Sequence, residues 1–368
     1  GVWGEIELWA RPARRIEDVF IRPSFRGKRL DVDVHVAGTG SNDIEIAVLD
    51  ADNKQIVRFS DSSSTAQSTL SAPWPDPRLW MPHDPYLYTL EVTLRDQKTE
   101  RVLDTRQVPF GFRDIWIDGE NLVLNGKRLF LARTSFTPTS ERDAETYIKL
   151  AKTEGANAVR LHMDDFYRPG AFAHYADRVG MLVIPASPLS WTPWYRMKDA
   201  QFWTNYEDQL VSWVRGARNH PSIVMWSLTN EVLWCDAQLE NPDTPTLMLR
   251  AEQRVRSLDP TRPVQFDGDW DLPPLGQSKI ANLHYPWEPV DHWYPTECWA
   301  FQNPNPRKPL SIRGSVGTYR WKRGEKPIIV GEFSCAFKTF TEAPVPMTKY
   351  VGDRAYDWNA WSDFSLWR

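Results

Sequence analysis

The sequence predicts a multidomain β plus α/β protein: an immunoglobulin-like β-sandwich followed by a (β/α)8-type TIM barrel that is incomplete at its eighth strand. Three observations lead there. The chain has 368 residues, too many for one ordinary core, so about two domains are expected. Its first hundred or so residues alternate apolar and polar, the period of half-buried strands. Near Phe112 the pattern changes to strands and helices in turn, which argues for a parallel sheet covered by helices.

In the first part, LDVDVHVAG (30–38) places Leu30, Val32, Val34 and Val36 on one face. DIEIAVLDADNKQIVRF (43–59) is two strands around an Asp- and Asn-rich turn. PWPDPRLWMPHDP (73–85) is a Pro-punctuated connection, and YLYTLEVTLRD (86–96) alternates again. Short strands spaced by turns suggest an antiparallel sandwich. No Cys–Trp–Cys arrangement fixes its topology, and no catalytic constellation is found there; it reads as a packing or spacer module.

In the second part, IWIDGENLVLNGKRLFLART (115–134) carries NGK, a hairpin turn between apolar alternations. LFLARTSF (129–136) is the first barrel strand. ERDAETYIKLAKTEG (141–155) has helical spacing and a Gly stop. Strand ANAVRLH, helix GAFAHYADRVG, strand MLVIPAS, helix QFWTNYEDQLVSWVRGARNHPS and strand IVMWSLTNE come next. Helix LMLRAEQRVRSLDP and strands PVQFDGD, IANLHYP and KPIIVGEF complete the series. Seven strands are countable where a closed barrel has eight; the ending AYDWNAWSDFSLWR has helical aromatic spacing.

Composition narrows the function. A net charge of −4 gives no electrostatic reason to expect nucleic acid. No run of about 20 apolar residues marks a membrane span, and GVWGEIELWARP lacks the basic-then-apolar pattern of a signal peptide. Localisation stays open, with secretion or the periplasm favoured. Cys235, Cys298 and Cys335 form no CxxC or Cys/His pattern, so neither a metal, a cofactor nor a disulfide framework is expected. The 19 tryptophans exceed what packing asks for, and flat indoles stack on sugar rings.

Active sites of such barrels lie at the C-terminal strand ends. Glu231 follows the fourth strand and Glu332 ends the seventh, facing each other across the mouth. Two carboxylates flanking one bond are what glycoside hydrolysis needs. One is held protonated for the leaving oxygen, and the other stays ionised to attack or to activate water.

GARNHPSIVMWSLTNE and KPIIVGEF closely resemble glycoside hydrolase family 2, which includes β-galactosidases, β-glucuronidases and β-mannosidases. By that resemblance residues 1–13 are the last strand of a jelly-roll sugar-binding domain, 14–112 the sandwich and 113–368 a C-terminally truncated catalytic barrel. The chain would be a fragment of a retaining exo-acting β-glycosidase, a β-galactoside being the favoured substrate. Glu231 would be the acid/base and Glu332 the nucleophile, with Asn230 bonding the sugar hydroxyl beside the reacting carbon. Arg160 would keep Glu332 ionised, and Tyr285 would bond it. The Asn-x-Lys feature of glucuronidases is not evident, NGK being better explained as a turn.

Further candidate contacts are His162, His284 and Trp191. His284 and Tyr285 alternate sides, so only one of the two is expected to face the cleft. Trp194, Trp234, Trp287 and Trp299 are strand-end loop residues that stack or pack. Asp164, Asp165, Asp267 and Asp269 either bond hydroxyls or are simply solvated, the latter favoured. The partner expected is a carbohydrate, with room for an oligomer. The other function class is a non-catalytic carbohydrate-binding or scaffolding relative; the intact Glu231–Glu332 pair with Asn230 favours the enzyme.

Overall fold

The computed structural model describes residues 8, 10–136, 141–161, 169–190, 197–233, 243–272, 276–284, 310–314, 317–321 and 324–332. Its first unit runs through β1 (Arg15–Ser24), β2 (Arg29–Ala37), β3 (Asn42–Leu49), β4 (Gln55–Ser63), β5 (Gln67–Pro73), β6 (Trp80–Met81), β7 (Asp84–Pro85), β8 (Tyr88–Asp96) and β9 (Val102–Phe110). The antiparallel sheets β1-β2-β5 and β4-β3-β8-β9 enclose Leu30, Val32 and Val34 from one side and Ile44, Ile46, Leu90 and Val92 from the other. These are the alternating positions, so the period-2 pattern is the inward face of a sandwich.

A three-stranded meander follows: β10 (Ile115–Asp118), β11 (Asn121–Leu124) and β12 (Lys127–Leu129). Its NGK turn has Asn125 at φ 50° and Gly126 at φ 78°, the left-handed pair that a two-residue hairpin requires. The Asn125 side chain accepts from the Asp114 N–H at 2.8 Å and donates to the Trp80 carbonyl at 3.0 Å.

The barrel comprises β13 (Arg133–Phe136), α1 (Glu141–Thr153), β14 (Ala158–Leu161), α2 (Pro169–Val179), β15 (Leu182–Pro185), α3 (Ala200–Ala217), β16 (Trp226–Asn230), α4 (Thr244–Leu258), β17 (Val264–Asp267), β18 (Ala281–His284), β19 (Leu310–Gly314), β20 (Gly317–Trp321) and β21 (Ile328–Glu332). Parallel ladders join β13-β14-β15, β16-β17 and β18-β21. Bridges from Val183 to Ile223, Ala186 to Ser227 and Ser190 to Asn230 link the third barrel strand to the fourth. β18 and β21 are neighbours although the antiparallel hairpin β19–β20 intervenes. Sequence periodicity did not separate that hairpin from the connecting loop. The expected gap at an eighth strand concerns residues after Glu332, which lie outside the described residues.

Helix α3 shows why the outer layer forms. Asp199 caps it by accepting from Gln201 N–H, and Trp203, Tyr206, Leu210, Trp213, Val214 and Ala217 make one buried stripe at helical spacing. That stripe shares one apolar cluster with the outward residues Val159, Leu161, Val183, Trp226 and Val264, and Trp213 meets Trp226 edge to face at 4.8 Å. Trp74, Trp80, Trp203, Trp213, Trp226 and Trp270 are all core residues, so packing accounts for these tryptophans.

The barrel interior changes character along its axis. At the N-terminal end Ala158, Leu182, Ile184, Val224, Ile280 and Ile329 cluster with Trp80, Ile115, Leu122 and Leu124. The Pro-punctuated connection and the meander therefore plug the barrel from below. The sandwich is tied on more directly through the Arg-Asn-His-Pro-Ser run. Asn219 accepts from Ile21 N–H at 2.9 Å and donates to the Val19 carbonyl at 2.8 Å. Arg218 pairs with Asp18 and lies 4.1 Å over the Phe20 ring. His220 bonds Asp177 at 2.6 Å, and Ser222 N–H donates to the same carboxylate at 2.9 Å.

Candidate active site

Above the apolar plug, the inward positions of the strands turn polar. Arg133 on β13, Arg160 on β14, Ser227 on β16, Gln265 and Asp267 on β17, and Asn282 and His284 on β18 are brought together there. Alternation sends these side chains inward while their neighbours Val159, Leu161, Val264 and Phe266 pack on the helices. All but the half-buried Arg133 are fully buried, so each must find its partner within the barrel.

Asp267 is the hub. Its Oδ2 lies 2.6 Å from Arg160 Nε and 3.4 Å from Arg133 Nη1, and its Oδ1 lies 3.0 Å from His284 Nε2. Burial alone would favour the neutral acid. The charges of Arg160 and Arg133 and the bond to His284 outweigh that and hold the carboxyl well below the usual range. The second edge of His284 meets Glu231: Nδ1 to Oε1 is 2.7 Å, and Nδ1 to Glu332 Oε2 is 3.7 Å. Burial works against a charged imidazole here. Bonds to Asp267 and Glu231 and the charge of Glu332 prevail, pushing His284 up to about 9.

Arg160 completes the group. Its Nη1 donates to Glu332 Oε1 at 3.0 Å, and its Nη2 donates to Asn230 Oδ1. Asn230 Nδ2 donates to Ser190 Oγ at 3.1 Å. Glu332 is the more open carboxylate, its side chain 25% exposed against 6% for Glu231. Oxygens of Glu231 and Glu332 and a His284 nitrogen lie within 4.8 Å of one another. Both imidazole nitrogens face carboxylates, so these side chains join in one ion-pair network.

Glu231 itself has φ 56°, a left-handed conformation unusual for a residue with a side chain. Its N–H donates to the Asp267 carbonyl at 2.9 Å. The next two N–H groups, of Val232 and Leu233, donate to Asp269 at 3.2 and 2.7 Å, and Thr229 Oγ1 donates to it at 2.6 Å. Burial pushes the Asp269 carboxyl up to about 7 in spite of these donors.

β21 reaches the network through Gly331. A Cβ there would collide with Asn282 Oδ1, Asp267 Oδ1 and His284 Nε2, while the Gly331 carbonyl accepts from Arg133 Nη2. Only glycine lets the strand that bears Glu332 lie this close to the hub.

Of the residues expected from sequence, Glu231, Glu332, Asn230, Arg160 and His284 are brought together. His162, Tyr285 and Trp191 lie outside the described residues, as do Trp194, Trp234, Trp287, Trp299, Asp164 and Asp165. His284 does face the carboxylate pair. Asp267 and Asp269, read as solvated loop residues, are fully buried; each takes its partners from other parts of the chain. Arg133 was not singled out. Its signal was a charge inside the apolar strand LFLARTSF, which a barrel must direct inward to a counter-ion or out past a helix.

Comparison with known proteins matches residues 14–113 to the model of glycosyl hydrolases family 2 and residues 115–350 to that family's TIM barrel domain. The β-glucuronidase of Paenibacillus borealis is 24% identical over 365 residues, 94% of this chain and 58% of that protein. The β-galactosidase large subunit of Latilactobacillus sakei is 27% identical over 339 residues, 85% of this chain and 51% of that protein. The chain thus spans little more than half the length of these relatives. Among solved structures, Bacteroides uniformis β-glucuronidase 2, covalently bound to cyclophellitol-6-carboxylate aziridine, superposes with a TM-score of 0.61 at 22% identity, over 75% of this chain and 38% of that one. At that identity the likeness speaks for the fold, a sandwich followed by a TIM barrel.

Proposed function

Because the chain belongs to family 2 of the glycosyl hydrolases, we propose that it forms the catalytic core of a retaining, exo-acting β-glycosidase. Glu332 is the nucleophile and Glu231 the general acid/base. Residues 14–112 are the supporting sandwich and 113–368 the catalytic barrel. The observation that carries the reading is the pair itself: carboxylate oxygens of Glu231 and Glu332 within 4.8 Å at the ends of two barrel strands. Retaining pairs stand ~5–5.5 Å apart, whereas inverting pairs leave room for a water at ~6.5–9.5 Å.

The surroundings suit the two roles. Arg160, 3.0 Å from Glu332, favours the ionised nucleophile, whose oxygen attacks the sugar carbon and forms a glycosyl ester. The departing oxygen takes a proton from Glu231. In the second half the Glu231 carboxylate removes a proton from water as that water displaces Glu332. His284 Nδ1 lies 2.7 Å from Glu231 Oε1 and so fixes the orientation of that carboxyl. Asn230, held by Arg160 and Ser190, offers its amide to the sugar hydroxyl beside the reacting carbon, a bond that strengthens in the transition state.

The substrate proposed is a terminal β-galactoside. Relatives named β-galactosidase are 25–27% identical to this chain and relatives named β-glucuronidase 24–26%; the choice of galactoside rests on the Asn-x-Lys feature of glucuronidases not being evident in the sequence. A panel of nitrophenyl β-glycosides, applied to the protein at its natural full length, tests sugar and reaction together. Glu332→Ala abolishes turnover of every substrate. Glu231→Ala spares substrates with good leaving groups, which need little proton donation. Equal losses for both variants on activated and unactivated substrates would refute the assignment.

A further inference from the structure

On both sides of Glu231 the chain donates hydrogen bonds to one carboxylate. Asp269 Oδ2 accepts from Thr229 Oγ1 at 2.6 Å, two residues before Glu231, and from Val232 N–H at 3.2 Å, the residue after. Its Oδ1 accepts from Leu233 N–H at 2.7 Å. These donors end β16 and begin the turn that follows, and between them Glu231 sits at φ 56°. Such a conformation costs of order 1–3 kcal/mol and persists only where the surroundings over-determine it.

The loop that supplies Asp269 is itself over-determined. Gly268, Trp270 and Leu272 have φ of 77°, 56° and 61°, so two residues with side chains are left-handed within five positions. Trp270 exchanges backbone bonds with Asn282, N–H to carbonyl at 2.9 Å and carbonyl to N–H at 3.2 Å. Leu272 N–H donates to the Asp269 carbonyl at 3.1 Å, and Gly268 N–H donates to Asn282 Oδ1 at 2.9 Å. The loop is thereby fixed to β18, the strand that also carries His284. Asp269 and Trp270 are buried.

We propose that Asp269 is a positioning residue for Glu231: by clasping Thr229, Val232 and Leu233 it fixes the left-handed turn that aims the Glu231 carboxyl at the leaving oxygen. The inference rests on the reading of Glu231 as the acid/base. Without the clasp the two N–H groups lose their acceptor and the turn relaxes toward ordinary φ. Glu231 then swings away from His284, and proton donation suffers while the attack by Glu332 does not.

The test uses Asp269→Ala, Asp269→Asn and Thr229→Val in the full-length protein. Substrates are phenyl and dinitrophenyl β-glycosides of the sugar identified by the nitrophenyl panel. A misplacement of about 1 Å can cost about 10²-fold, so Asp269→Ala should lower kcat/KM on the phenyl glycoside by about that factor and leave kcat/KM on the dinitrophenyl glycoside nearly unchanged, because kcat/KM reports the glycosylation step, in which only the phenyl leaving group needs a proton. Asn keeps one acceptor oxygen and should restore part of the rate; Thr229→Val, which removes one donor, should cost least. In a Glu231→Ala background Asp269→Ala should add no further loss, since two changes acting through one group are not additive. Equal losses on both glycosides, or full additivity with Glu231→Ala, overturn the inference while leaving the Glu231 assignment in place. Should Glu231→Ala itself show no leaving-group dependence, the acid/base reading fails and the inference falls with it. If Asp269→Ala does not fold, Asp269→Asn and Thr229→Val decide, and the absence of any leaving-group-selective loss in both overturns it.

Discussion

His284 Nε2 meets Asp267 Oδ1 at 3.0 Å with both side chains fully buried. Neither group would be stable there alone. A lone carboxylate would be driven to protonate and a lone imidazole to stay neutral. Together with Arg133, Arg160, Glu231 and Glu332 they make a set of three basic and three acidic side chains.

This relationship fixes the sign of a pH effect. The folded value of His284, about 9, lies above its ordinary 6.5. Its contribution to stability is therefore fully present below pH 6.5 and is lost as pH rises through about 9. The difference corresponds to roughly 3 kcal/mol. Urea unfolding across that window should show stability falling with pH in the wild type, and a flatter profile in His284→Asn.

Removing the hub should be costly. Asp267→Asn leaves Arg133, Arg160 and His284 around a neutral amide, and breaking a buried pair by deleting one partner costs about 3–5 kcal/mol. Denaturant midpoints would measure it. A second substitution, Arg133→Met, should recover part of the loss because it removes the cation that Asp267 neutralised, whereas Arg160 and His284 keep Glu332 and Glu231.

Gly331→Ala tests the approach of β21. The added methyl meets Asn282, Asp267 and His284 at once, and overpacking of this kind costs about 1–3 kcal/mol. The strand must retreat, taking Glu332 with it, so activity on every aryl glycoside should fall by about 10²-fold. A loss confined to unactivated substrates would show that Glu231 had moved instead.

Asn219→Ala separates structure from chemistry. It strips the Ile21 N–H and the Val19 carbonyl of their partner, an expected cost of about 1–3 kcal/mol. Thermal unfolding should shift accordingly while the leaving-group dependence of the rate stays as in the wild type.

Much of this was legible in the chain. Val32, Val34, Ile44 and Ile46 lie inward as their alternation requires. The strand ends carrying Glu231 and Glu332 follow from counting βα units. Asp267 and Asp269 were not legible, since a polar residue just after a short strand looks the same whether water or protein covers it. What buries Asp267 arrives from Arg133 and Arg160, more than a hundred residues earlier in the chain, and no local pattern encodes that meeting. The Arg-Asn-His-Pro-Ser run shows the converse. Its strong family resemblance pointed toward the catalytic strand, yet its side chains bind the sandwich and α2, so such a run can report an anchor rather than a reagent.

Trp80 gives the architecture a practical limit. It comes from the stretch that leaves the sandwich, yet its indole is wholly buried among Ala158, Leu182, Ile184 and Ile329, and its Nε1 donates to the Asp177 carbonyl of α2 at 2.9 Å. The seam visible in sequence, near residue 114, is therefore not a seam along which the molecule comes apart. Cutting there would leave the lower mouth of the barrel with a hole the size of an indole, and the isolated sandwich with a tryptophan bared to water. Shuffling of these units between relatives would have to carry this stopper along with the vessel it closes.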